Sequence, residues 1–293
     1  MKKPKFLFTA IFVLLIIFVW WLYAPPVSSD AEIPQGQAIL EQGEYLVHAA
    51  GCISCHINPE GGEALSGGQA LVSDFGVFYV PNITPDNTSG IGGWSGADFI
   101  RALKHGRSPG NGFYYPAFPY RSYRSMTDDD VLAIAAYLMA QPPVPSSSLP
   151  HELQSGLSRW LMAFWNKLAD ISEPTFQPLP DEQLRRGAYL ARSLGHCGEC
   201  HTPRNNLGIP DYTREFSGAP LADGEADDIS AAALEEWSEE DFAFFLFLGL
   251  KPDGEYVGGE MEAVIEHNTS PLSEEDREAL AAFFLRGQES SIE

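Results

Sequence analysis

The sequence predicts an all-α chain, with two tandem copies of one small helical domain behind an N-terminal transmembrane helix. Three observations carry this. Cys52-Ile53-Ser54-Cys55-His56 returns as Cys197-Gly198-Glu199-Cys200-His201, and matching helix-start signals follow each copy. Apolar residues recur at helical spacing through both copies, and few stretches alternate as strands do. An uncharged apolar run, Phe6 to Tyr23, opens the chain. The 293 residues allow two ordinary domains plus connections. The expected boundaries are 1–24 for a membrane anchor, 30–141 for the first domain, 142–180 for a linker with a bridging helix and 181–293 for the second domain.

Lys2, Lys3 and Lys5 precede the apolar run, and Trp20, Trp21 and Tyr23 close it as an interfacial belt would. Its length is near the lower limit for a spanning helix, about 17 residues. The leading lysines put the N-terminus in the cytoplasm. The expectation is a single pass through the bacterial inner membrane with both domains on the periplasmic side. A cleaved signal peptide, with Ser29-Asp30-Ala31 as its small-x-small site, is the competing reading and gives the same compartment. The formal net charge is −22. So acidic a surface excludes nucleic acid as a partner and suits a basic redox partner.

Within each copy the elements follow one order. Gly43-Glu44-Tyr45-Leu46 parallels Gly187-Ala188-Tyr189-Leu190 in an opening helix. Gly43 and Gly187 each cost about 1 kcal/mol against Ala inside a helix; close crossing by another helix is the expected reason. A middle helix follows Trp94-Ser95-Gly96-Ala97-Asp98 and Trp237-Ser238-Glu239-Glu240-Asp241, and a closing helix follows Thr127-Asp128-Asp129-Asp130 and Ser273-Glu274-Glu275-Asp276. All four starts are Ser/Thr-x-x-Asp, in which the hydroxyl accepts from free first-turn N–H groups. Between the copies, Gln141 to Ser148 reads as linker by its Pro and Ser content, and His151 to Asp170 as a helix bridging the domains or docking a partner.

The two Cys-x-x-Cys-His stretches use all four cysteines. Thiols three positions apart can each bond one arm of a porphyrin, and the adjacent His then sits beneath the iron. Two disulfides or one four-thiolate zinc site are the competing readings. Neither explains a His after each pair. Two covalently bound haem c groups are therefore expected, tethered by Cys52, Cys55, Cys197 and Cys200, with His56 and His201 as proximal ligands.

A closed electron-transfer haem needs a sixth ligand. Met261, in Gly258-Gly259-Glu260-Met261, is expected in the second copy, with His267 as runner-up. In the first copy Met126 is the expected ligand, although it aligns with the apolar Leu272 and His105 competes. Met139 and Met162 read as core. Trp94 and Trp237 are expected to donate indole N–H bonds to haem propionates, against a simple core role. Arg101, Lys104, Arg107, Arg121 and Arg124 cluster in the first copy and are expected to offset propionate charge there or to form a docking patch.

Pro81-Asn82-Ile83-Thr84-Pro85, Gly90-Ile91-Gly92-Gly93-Trp94, Tyr115-Pro116-Ala117-Phe118-Pro119-Tyr120 and Gly195-His196-Cys197 through Asn205 resemble the cytochrome c subunits of periplasmic alcohol, gluconate and aldehyde dehydrogenases. The resemblance spans about residues 35–290. It implies two class I cytochrome c domains with no substrate chemistry of their own. It also implies a dehydrogenase subunit as electron donor, and a quinone, soluble cytochrome or oxidase as acceptor. Members with Met where this chain has Phe118 use that Met as distal ligand. An independent anchored carrier to a terminal oxidase, or a dihaem peroxidase with one open haem, are the competing functions.

Overall fold

The computed structural model describes residues 3–26, 31–57, 61–222 and 224–288. Helix α1 (Lys3–Tyr23) comes first. The first repeat follows with α2 (Gln37–Ala49), the single turn α3 (Cys52–Cys55), strands β1 (Ala70–Ser73) and β2 (Gly76–Tyr79), α4 (Gly96–His105), α5 (Tyr120–Tyr123) and α6 (Asp128–Met139). Between the repeats lie β3 (Glu152–Leu153) and α7 (Leu161–Ser172). The second repeat runs α8 (Glu182–Tyr189), α9 (Gly198–His201), β4 (Ala219–Leu221), β5 (Gly224–Ala226), α10 (Glu239–Leu248), α11 (Glu260–Val264) and α12 (Glu274–Ala282). Helices α8, α11 and α12 each run on into a wider, π-type turn.

The helix starts form where the sequence puts them. Ser95, Thr127, Ser238 and Ser273 each accept a hydrogen bond from the N–H of the acid three positions on. Such a cap contributes about 1 kcal/mol. The interior glycines mark helix crossings. A Cβ on Gly43 would collide with the Ala133 carbonyl of α6, and one on Gly187 with the Ala279 carbonyl of α12. Opening and closing helices therefore pack backbone to backbone in both repeats.

The repeats share one continuous core. Val47, Phe99, Val131 and Ile134 of the first join Leu190, Leu194, Phe216 and Phe283 of the second. Their contact is reciprocal. Tyr45 of α2 donates to Asp276 Oδ2 (2.5 Å) and accepts from the Ser273 N–H (3.2 Å) at the start of α12. Its counterpart Tyr189 donates to Asp130 Oδ2 (2.5 Å) and accepts from the Thr127 N–H (3.3 Å) at the start of α6. Arg186 completes the first contact with a two-pronged bond to Asp276.

The expected fold class is corrected on two counts. First, the chain is not all-α. Strands β1, β2 and β3 form an antiparallel sheet, and β4 and β5 a second hairpin. These strands are two to four residues long, too short for alternation to show. Second, among the described residues no helix is long and apolar enough to cross a membrane. The anchor expected over residues 1–24, the single pass and the membrane contact through it are withdrawn on that finding. Leu22 and Tyr23 instead pack against a second, smaller core, where Tyr23 meets Phe113 and Trp160 edge-on. The signal-peptide site Ser29-Asp30-Ala31 lies partly outside the described residues.

The bridging segment is also shorter in helix than its pattern implied, because His151 to Trp160 holds β3 and turns and α7 starts only at Leu161. Met162, Ala163, Trp165 and Ala169 bury one face of α7 against Phe78 and Phe113 of the first repeat and Ile209 of the second. The Trp165 indole donates to the Leu207 carbonyl at 2.7 Å. Helix α7 thus spans both repeats.

Candidate functional site

Each Cys-x-x-Cys-His stretch forms one tight turn at the end of an opening helix. Gly51, at φ 66°, takes the left-handed conformation that lets the chain leave α2 and start α3 at once. His56 Nδ1 lies 2.7 Å from the Pro81 carbonyl. A carbonyl can only accept, so Nδ1 carries the proton and Nε2 is left as the donor atom for a metal. Burial depresses the His56 pKa to about 4, which keeps the ring neutral as ligation requires. The second site repeats this, with His201 Nδ1 at 2.7 Å from the Asp227 carbonyl and a pKa lowered by burial.

The thiols match in the same way. Burial pushes Cys52 and Cys197 up to about 12 and Cys200 to about 11, and raises Cys55 as well. All four are free, so the disulfide reading fails. Among the described residues no group of three or more His, Cys, Asp or Glu could hold a metal ion, which also removes the four-thiolate site.

Above the first motif lies a cavity of about 510 Å³. Cys52, Cys55 and His56 line it together with apolar walls from Ile91, Phe99, Leu103 and Ile134. Two thiols, one imidazole nitrogen and a largely apolar slot form the donor set and the space that a covalently held haem requires, so the residues present fit that group. Trp94 is on this wall and packs edge-on against Phe99 (5.3 Å). Phe118 is also on the wall and has no donor atom. Met126 is buried in the shared core, 2 % exposed, and does not line the cavity.

In the second repeat, Trp237 packs against Phe242 and Phe245 at 5.6 and 5.4 Å. Met261 opens α11, half-buried. After burial, the Glu260 carboxylate contributes to raising the thiols of Cys200 and Cys55. Gly51 also lies against the side chains of His196 and Asn268 from the second repeat. His196 Nε2 and Asn268 Oδ1 are buried there with no hydrogen bond in the protein. His267, the runner-up ligand, instead gives its carbonyl to His48 Nδ1 at 2.7 Å, within the contact between repeats.

The basic cluster expected to serve the first haem does not line the cavity. Arg121 and Arg124 pair with Asp170 and Glu173 at the end of α7, Lys104 with Asp128 and Arg101 with Asp98. Arg107 stacks on Phe113 at 3.4 Å and donates to the Tyr23 and Ala24 carbonyls. Apart from Arg101–Asp98, these pairs join residues far apart in sequence, which is why spacing did not reveal them. Sequence reasoning missed His151 and Arg159, which do line the cavity although they belong to neither repeat.

A family model for cytochrome c matches residues 40–142. The chain is 44 % identical over 278 residues to a diheme cytochrome c-type protein of Cereibacter sphaeroides, covering 91 % of this chain and 92 % of that one. It is 36 % identical to the gluconate 2-dehydrogenase cytochrome c subunit of Pantoea cypripedii, over 86 % of this chain and 60 % of that subunit. It is 35 % identical to the fructose dehydrogenase cytochrome subunit of Gluconobacter japonicus, over 88 % of this chain and 54 % of that subunit. The chain thus spans nearly all of the first relative and little more than half of the other two.

Proposed function

This chain belongs to the diheme c-type cytochrome family, and from that premise we propose that it carries electrons as the cytochrome subunit of a dehydrogenase complex. The observation that carries the reading is the pair of equivalent sites, each with two neutral thiols and a His whose Nδ1 is committed to a backbone carbonyl. Two haem c groups, bound through Cys52, Cys55, Cys197 and Cys200, would each supply a one-electron centre. His56 and His201 would hold the two irons through their free Nε2 atoms, and Met261 would supply a thioether donor to the second. The chain's own residues tether, orient and exclude water, with no acid–base work on a substrate. Resemblance to dehydrogenase cytochrome subunits supports a dehydrogenase as donor and a quinone or an oxidase as acceptor. Covalent haem attachment supports the periplasmic side as the compartment.

The test is isolation of the chain from its native cells in mild detergent, following haem absorbance. A stoichiometric dehydrogenase subunit in the same fraction is expected. A terminal oxidase, or the cytochrome alone, would overturn the subunit reading in favour of an independent carrier. That second reading is favoured by one observation, the near full-length match to a relative whose name carries no dehydrogenase.

A further inference from the structure

The segment that joins the repeats folds back over the first site. Asn82, 3 % exposed, donates through Nδ2 to the Val144 (2.8 Å) and Ser146 (3.1 Å) carbonyls, and its N–H reaches Ser148 Oγ at 3.3 Å. Thr84 Oγ1 accepts from the Val144 N–H at 3.0 Å. Both residues stand just after Pro81, the carbonyl that orients His56. Further along, β3 pairs with β2, Glu152 opposite Val77 and Leu153 opposite Gly76. A Cβ on Gly76 would collide with the Glu152 carbonyl, so a glycine is needed for the strand to approach. The result is a strap that brings Ser148, His151 and Arg159 to the cavity wall.

The protonation of His151 follows from its bonds. Its Nδ1 accepts from the Tyr79 N–H at 3.1 Å, so Nε2 carries the proton in the neutral ring. Arg159 Nη2 lies 3.4 Å from that Nε2. Two donors therefore stand side by side, an arrangement that a shared anion relieves. The guanidinium is held in place by a 2.8 Å bond from Nη1 to the Phe113 carbonyl and by the Tyr115 ring, 4.7 Å away. Among the described residues lining the cavity, Arg159 is the one formal cation, and none carries a carboxylate.

We infer that Arg159 and His151, supplied by the strap between the repeats, bind the propionate carboxylates of the first haem. The inference rests on the haem reading above. A haem brings two carboxylates into a largely apolar slot, where uncompensated charge is costly. A guanidinium offers a carboxylate two parallel donors. Its charge also favours the reduced form of the centre, which carries one positive charge fewer, so it raises the reduction potential of the first haem.

The test is a spectroelectrochemical titration of the full-length, haem-loaded chain. In Arg159→Leu one of the two reductive steps should move to lower potential by about a tenfold change in its equilibrium, ~59 mV for one electron. The other step should stay in place. Arg159→Lys, which keeps the charge but loses the fork to Phe113, should restore most of the potential; a purely structural role would be lost in both variants. Arg124→Gln, a cation outside the cavity, should move neither step. Unshifted steps in Arg159→Leu, or equal shifts of both, would overturn the assignment. If the wild-type chain held fewer than two haems, the haem reading itself would fall.

Discussion

The two repeats share an order of elements and a ligand geometry, yet they differ in what surrounds the motif. The first is enclosed. Its hairpin gains a third strand from the joining segment, and that segment adds a cation to the cavity wall. The second hairpin has no third strand among the described residues. The acids also differ. Residues 30–141 carry 12 acidic and 5 basic groups, and residues 181–293 carry 25 and 8. One fold has thus been given a cation-lined site in one copy and acidic surroundings in the other. A nearby cation and exclusion of water raise a potential, while acidic neighbours lower it. These surroundings favour reduction of the first centre, whereas the Met261 ligation proposed for the second favours reduction of that one.

Ligation should separate the repeats most strongly. Met261→Leu should drop the potential of the second centre by on the order of 0.1 V and remove its Met-ligated spectrum, since axial ligands span ~0.8 V. Met126→Leu should leave both spectra unchanged, because Met126 lies outside the first cavity. A spectral change in Met126→Leu would break the comparison by restoring two alike centres.

A smaller effect tests where the repeats agree. Gly43→Ala and Gly187→Ala both place a methyl group against a backbone carbonyl of the closing helix. Each should destabilise by about 1–3 kcal/mol in denaturant unfolding. A loss at one position only would show that the two helix crossings are not equivalent.

The smallest effect concerns acid. Burial opposes ionisation of Asp276, but the bonds from Arg186 and Tyr45 prevail and hold its carboxyl below the usual value. A depressed folded pKa contributes stability that is complete above the unfolded value, about 3.9, and is lost as pH falls through the folded one. Asp276→Asn should therefore lower stability at pH 7 by about 1 kcal/mol and flatten its dependence below pH ~4. Parallel acid curves for variant and wild type would show that this contact carries none of the acid sensitivity.

What the sequence showed and what it hid divide along locality. The attachment motifs, the four helix caps and the crossing glycines depend on residues a few positions apart, and all could be read directly. The strap could not. Its Pro and Ser content reads as linker, and the bonds that fold it back come from Asn82 and Thr84, some 60 residues earlier. Arg159 escaped because aligning the repeats compares only what both possess. The arginines that the alignment did single out, Arg121 and Arg124, are held by Asp170 and Glu173 on α7, outside either repeat. Strand β3 is two residues long and carries no pattern of its own. In α1, composition suggested a span, but the helix ends in Leu22 and Tyr23 packed on protein.

The crossed tyrosines carry a consequence for ancestry. Tyr45 reaches the start of the other copy's closing helix, and Tyr189 returns the same contact. Such an exchange, i to j and j to i, is the mark of an isologous interface between identical subunits. The reciprocal contact has the form of a homodimer interface fused into one polypeptide. Fusion frees the halves from identity. Two subunits of a homodimer must change together, but covalently joined copies can diverge, and the joining peptide becomes new material that only one of them need use.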